Sequence, residues 1–230
     1  MQVLPRRFRR IFSLLSWFLL PAVVAAQEGT STRTLDDSVR AFLEEREGEW
    51  RDLNIPTRDG ELLYDIIVEH SYTRALEIGT STGHSAIWIA WALSKTGGKL
   101  TTIEIDEDRH REALANFKAA GVSDYIDARL ADAHELVKEL EGPYDFVFSD
   151  ADKGWYKQYF IDVAPKMTIG GCFTAHNVSR RGGTYRGGVR EFVDHIQSVP
   201  KFETTIETER STGISISYKR GAASGREDAE

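Results

Sequence analysis

What most constrains this chain is a regular alternation between residues 74 and 177, where short apolar or alternating runs are separated by stretches with helical spacing. Arg74 to Gly79, Lys99 to Ile105, Tyr125 to Leu130, Tyr144 to Asp150 and Gly171 to Asn177 read as strands, with helices at about 84–95, 107–120, 133–140 and 154–165. Strands joined through helices run parallel and form a sheet covered on both faces. A further helix at about 188–198 precedes two alternating runs, Phe202 to Glu209 and Gly213 to Tyr218, which read as an antiparallel hairpin across Arg210-Ser-Thr212. The expected fold is therefore α/β: a doubly wound, mostly parallel seven-stranded sheet with an antiparallel last strand. At 230 residues, 41% hydrophobic and 28% charged, the chain holds one such domain and not two. Two helices precede the sheet, one at roughly 34–48 and one from Thr57 to near Ser71. The Thr57 hydroxyl is expected to cap the second, and Leu62, Leu63, Ile66 and Ile67 form its apolar face.

The ends divide from this core by composition. Residues 1–26 place Arg6, Arg7, Arg9 and Arg10 before an apolar run from Ile11 to Leu20 and a small-residue ending at Ala26. This is the grammar of an export signal, and Arg9-Arg10-Ile-Phe12 resembles a twin-arginine signal. An uncleaved membrane anchor is the alternative, although the run is shorter than the ~20 residues a spanning helix needs. The expected organisation is a signal at 1–26, a linker and first helix at 27–51, the main domain at 52–220, and a disordered tail at 221–230. Cleavage would leave an exported, periplasmic or secreted protein with no stable membrane insertion. Losing four arginines and no acids would also take the formal charge from −7 to −11, which disfavours a nucleic-acid partner. Cys172 is the only cysteine, so no internal disulfide can form.

Function is suggested by where the polar residues fall. In open α/β sheets ligands bind beyond the carboxyl ends of the strands. All five expected parallel strands end there in glycine or polar groups: Gly79, Glu104, Asp132, Asp150, and His176 with Asn177. The turn Glu77-Ile-Gly79-Thr-Ser81-Thr-Gly83 can approach a ligand closely. Its Gly-x-x-x-Gly spacing differs from the Gly-x-Gly-x-x-Gly of dinucleotide sites, which argues against a nicotinamide cofactor. Glu104 stands where a carboxylate can accept from the hydroxyls of an adenosine ribose. Asp132 can take the adenine amine with the Ala133 amide on a ring nitrogen, or it can simply cap the next helix. The stretch Ser179 to Gly188 is either a basic lid over the acceptor or a solvated loop.

These stretches, with Ile55-Pro-Thr-Arg-Asp-Gly60-Glu-Leu-Leu63, Glu77 to Ser85, Phe148-Ser-Asp-Ala-Asp-Lys153 and Gly170-Gly-Cys-Phe-Thr-Ala-His-Asn177, resemble the cation-dependent O-methyltransferases. That group includes the catechol and caffeoyl-coenzyme A O-methyltransferases, and the resemblance covers about residues 52–219. It implies the class I methyltransferase form of a Rossmann-like sheet, S-adenosylmethionine as cofactor, a phenol- or catechol-like small molecule as acceptor, and a homodimer. By resemblance, Glu77, Gly79, Ser81, Gly83, Ser85, Glu104, Asp132, Ala133 and Asp150 line the cofactor site. Asp150 would also ligate a divalent cation, and Lys153 would help deprotonate the acceptor hydroxyl.

The chain departs from that group at one position: typical members carry an aspartate before the asparagine where this chain has His176-Asn177. The expected metal ligands are then Asp150, His176 and Asn177, with the imidazole shifting preference from magnesium toward manganese, iron or zinc. The alternative is a hydrogen-bonded His176 in a site that has lost its metal. For the whole protein, the alternative to an exported enzyme is a noncatalytic descendant that binds a nucleoside-like ligand outside the cytoplasm.

Overall fold

The computed structural model describes residues 33–50, 53–179 and 184–221. The expected signal at 1–26 and all but the first residue of the expected tail lie outside these residues, as do positions 180–183 of the Ser179–Gly188 stretch. Among the described residues no helix is long and apolar enough to cross a membrane.

Helix α1, Leu35–Glu45, begins at a complete capping box: Thr34 and Asp37 each satisfy the other's backbone amide. Helix α2, Thr57–His70, begins differently from expectation, because Thr57 is already its first helical residue and the N-cap is Pro56, with no side-chain cap. Its C-cap Ser71 adopts the left-handed conformation that ends a helix.

From there strand and helix alternate as the sequence implies: β1 Arg74–Ile78, α3 His84–Thr96, β2 Lys99–Glu104, α4 Glu107–Ala120, β3 Ile126–Leu130, α5 Ala133–Glu139, β4 Tyr144–Ser149, α6 Tyr156–Val163 and β5 Met167–Ala175. Helix α7, Gly187–Ser198, leads to β6, Phe202–Glu207, and β7, Ile214–Lys219. The sheet order is β3-β2-β1-β4-β5-β7-β6. All pairings from β3 through β5 are parallel, and β7 runs antiparallel to both β5 and β6.

Two apolar layers hold the sheet, and the two-residue period of the strands sorts side chains between them. Ala75, Leu100, Phe146, Phe148 and Cys172 face the layer formed with α1 to α4, whereas Leu76, Ile103, Val147 and Phe173 face the layer formed with α5 to α7. Helix α3 is apolar on nearly all sides because it is covered by α2 as well as by the sheet, and Trp88 and Trp91 are core residues. The order of strands reverses between β1 and β4, so their carboxyl ends open the crevice at which such sheets bind ligands.

Candidate active site

At that crevice lies a cavity of about 320 Å3, a size suited to a small-molecule ligand. Its walls bring together the strand-end residues singled out in the sequence: Gly79 and Ser81 after β1, Glu104 at the end of β2, Asp132 and Ala133 before α5, Asp150 and Lys153 after β4, and His176 and Asn177 after β5.

Gly79 makes the crevice possible. Its φ of +96° is one that side chains rarely adopt, and a Cβ there would stand 2.9 Å from the Asp150 carbonyl oxygen. The ends of β1 and β4 can therefore approach closely, and the Asp150 amide donates to the Ile78 carbonyl at 2.9 Å. Gly83 serves a different purpose: a Cβ would lie 2.5 Å from the Phe117 ring, so it allows α3 to pack on α4 and is absent from the cavity wall.

Glu104 is held in place by the backbone. Its Oε1 accepts from the Ile105 and Asp106 amides at 3.0 and 2.9 Å, and its Oε2 accepts from the Ser81 amide at 2.7 Å. A carboxylate has about four lone-pair directions, so one remains on Oε2 for a hydroxyl in the cavity. Asp132 caps α5 by accepting from the His134 amide at 2.9 Å, and it still borders the cavity with its carboxylate about half exposed. Both readings of Asp132 are thus compatible. The His134 ring packs against Trp155, with centroids 4.0 Å apart, and supplies an aromatic wall beside it.

Glu77 and Ser85 sit behind the cavity and do not line it. Glu77 is fully buried; burial, offset in part by hydrogen bonds from Ser85 and Thr102, raises its pKa to about 8. It is therefore a neutral acid at pH 7, which also reconciles the unpartnered Oε1 with its apolar surroundings.

Across the cavity, Asp150 is the centre of a charged cluster. Its Oδ1 faces the Lys153 ammonium at 3.5 Å and accepts from the Tyr156 hydroxyl at 3.3 Å, while its Oδ2 lies 2.9 Å from His176 Nδ1. His176 Nε2 lies 2.8 Å from Asp59 Oδ2 and 3.0 Å from the Thr212 hydroxyl. Asp59 also accepts from the Thr212 amide at 2.9 Å and from its hydroxyl. Burial opposes a charge on His176, but the hydrogen bonds it donates to Asp150 and then Asp59 outweigh it and lift its pKa to about 9. Burial likewise disfavours the Asp59 carboxylate, and its bonds to His176 and Thr212 more than compensate, leaving its pKa below the usual value.

This arrangement does not fit the expected cation site of Asp150, His176 and Asn177. A ring nitrogen donating its N–H to a carboxylate has no lone pair to offer a metal. Both nitrogens of His176 are so placed, and Asn177 is exposed at the rim. Among the described residues no group of three or more His, Cys, Asp or Glu side chains is arranged to hold a metal.

Asp59 and Thr212 were not among the residues expected at the site. A signal for Asp59 existed: it precedes Leu62, Leu63, Ile66 and Ile67 by three, four, seven and eight residues, placing an acid on the apolar face of α2. Asn54, also unexpected, borders the cavity, donates to the Thr82 hydroxyl at 2.7 Å and accepts from the His84 amide at 3.3 Å.

The chain is similar to known O-methyltransferases in sequence and in fold. Catechol O-methyltransferase of Niastella koreensis is 39% identical over 111 residues, which are 46% of this chain and 50% of that protein. Caffeoyl-CoA O-methyltransferase of Stellaria longipes is 32% identical over 131 residues, 54% of each chain. The chain thus spans about half the length of the curated relatives it matches. Among solved structures, the O-methyltransferase TomG of Streptomyces achromogenes, in complex with SAM, is 25% identical with a TM-score of 0.65, covering 83% of this chain and 93% of that one. The O-methyltransferase of Bacillus cereus, in complex with SAH, shares the fold at 24% identity and a TM-score of 0.68, covering 80% and 91%. The O-methyltransferase family profile matches residues 29–212, four-fifths of the sequence, and the chain belongs to that family.

Proposed function

We propose that the protein transfers a methyl group from S-adenosylmethionine to a hydroxyl of a phenol- or catechol-like small molecule. The observation that carries this reading is the pairing, in one cavity, of the amide-held Glu104 carboxylate on one wall with the Asp150–Lys153 pair on the other. A solved relative bound to SAM and curated relatives named for catechol and caffeoyl-CoA support it.

In this reading the open lone pair of Glu104 takes a ribose hydroxyl, and Asp132 with Ala133 faces the adenine. Gly79 keeps the backbone thin where the sulfonium passes between β1 and β4. Methyl transfer is an in-line displacement: the acceptor oxygen forms the new C–O bond while the C–S bond breaks and its electron pair returns to sulfur. Lys153, about two-fifths exposed, first releases its own proton to solvent and then takes the acceptor proton, so the positive charge lost from sulfur reappears as an ammonium beside Asp150. The protein's contribution is to hold the two reactants in line and to receive that proton.

The test is transfer of a labelled methyl group from S-adenosylmethionine to a panel of catechols and phenols, with product identified by mass. Labelled methyl ether is expected. Binding of S-adenosylmethionine without transfer to any acceptor would contradict the catalytic reading, and binding of NADH in its place would overturn the assignment.

A further inference from the structure

The departure at position 176 changes how the site handles charge. We propose that the His176 side chain, clamped between Asp59 and Asp150, takes the place of a divalent cation, so that methyl transfer in this protein needs no metal. The inference rests on the methyltransferase reading above.

Geometry and valence carry it. His176 reaches Asp150 with one nitrogen at 2.9 Å and Asp59 with the other at 2.8 Å, and its side chain is only 5% exposed. The Thr212 hydroxyl has a single proton, and the Asp59 carboxylate can only accept it. That leaves the Nε2 proton directed at the pair of oxygens, Asp59 Oδ2 and Thr212 Oγ1. Asp59 is itself fully buried, and among the described residues its carboxylate is hydrogen-bonded to His176 and Thr212. A buried carboxylate of this kind needs a partner, and the imidazolium meets the need without an ion from solution.

The resting cluster is balanced as well: among the described residues, the carboxylates of Asp59 and Asp150 pair with the His176 ring and with the Lys153 side chain before it gives up its proton. Inserting a dication would leave an uncompensated charge in a poorly solvated site and would require His176 to give up a hydrogen bond and a proton. Asp150 is instead held from behind by His176 and from the side by Tyr156, so that its Oδ1 meets Lys153 at the cavity. His176 is thus a positioning residue: it fixes the carboxylate that orients Lys153 and touches neither reactant in this account.

The experiment compares the wild-type protein and His176→Asp in buffer stripped with EDTA and in buffer with magnesium or manganese chloride. For the wild type we expect equal turnover in all three and no calorimetric heat for either ion. Long-range nitrogen–proton spectra at neutral pH should show both ring nitrogens of His176 protonated. His176→Asp should bind manganese or magnesium and gain at least about tenfold in turnover when the ion is added. Wild-type turnover that falls in EDTA and returns with magnesium would overturn the inference, as would calorimetric binding of either ion or a His176 nitrogen with no proton. These outcomes are separate from failure of the methyltransferase reading, in which no methyl transfer is seen with or without metal while the calorimetric and spectroscopic results still stand.

Discussion

At the scale of single residues, the site depends on charges buried in pairs. Removing His176 while leaving its two carboxylates should be far more damaging than a typical surface change. His176→Asn, unfolded by urea in EDTA, is expected to lose about 3–5 kcal/mol, the usual consequence of orphaning a buried ion pair. A loss within the ±0.5 kcal/mol of neutral surface substitutions would show that the cluster is more solvated than its burial implies. Lys153 separates charge from proton transfer. Lys153→Ala and Lys153→Arg should both lower turnover by about 10²–10⁴-fold, because arginine keeps the charge but cannot act as a base. Calorimetric affinity for S-adenosylmethionine should stay nearly constant in both variants. Activity retained by Lys153→Arg would mean that only the charge matters. The residues that sequence alone identified were those at strand ends, where position itself implies exposure to the crevice. Asp59 was not among them because it lies 117 residues from His176 and inside a helix, where an acid ordinarily faces water. His176 was expected among metal ligands for the same reason: nothing local reveals that a second carboxylate arrives from α2.

At the scale of elements, the adjacent carboxyl ends of the parallel strands β1 and β4 set the cavity, and Gly79 is the tightest point between them. Gly79→Ala should lower stability by about 1–3 kcal/mol, the cost of an unfavourable backbone conformation. The clash is with the backbone of residues 150 and 151, which cannot rotate away. Cofactor affinity should fall as well, read by calorimetry on the folded variant. Unchanged affinity would place the cofactor elsewhere. The strands around this junction were legible because parallel buried strands are dense in apolar residues and end in polar ones, and their expected and observed carboxyl ends agree to within a residue or two. The start of β5 was less legible: it begins at Met167, four residues before the expected Gly171, because the glycine pair at 170–171 imitates a turn while Gly170 takes a φ of +84° inside the strand. The N-cap of α2 differed because proline before the first helical residue fixes the entry without any side-chain bond.

At the scale of the whole molecule, two buried groups tie folding to pH. Both Glu77 and His176 have pKa values raised in the folded state, from 4.5 to about 8 and from 6.5 to about 9. Each therefore contributes stability that is fully present below its unfolded value and is lost as pH rises through its folded value. Among the described residues the hydrogen-bond partners of the imidazole are Asp59 from α2, Asp150 beyond β4 and Thr212 beside β7, none of them a cation, while Tyr156 from α6 donates to the His176 carbonyl oxygen. The urea midpoint is expected to fall between pH 6.5 and 9, and Glu77→Gln, which cannot titrate, should fall less steeply. A midpoint that is flat or rises across this window would contradict the assigned protonation states. The doubly wound, mostly parallel seven-stranded sheet covered on both faces and the family were readable from the alternation and motifs of residues 52–219, whereas the strand order was not. How the charges in the cavity neutralise one another was not, because that depends on four elements meeting in space.

The most direct test of the central claim is calorimetric titration of S-adenosylmethionine into the wild-type protein and Glu104→Ala, both in EDTA. Saturable one-to-one binding to the wild type is expected. Glu104→Ala should weaken it by about tenfold to 150-fold, the equivalent of a charge-assisted hydrogen bond worth about 1.5–3 kcal/mol. Absence of binding to the folded wild type, or identical affinity in the two proteins, would contradict the placement of the cofactor in this cavity.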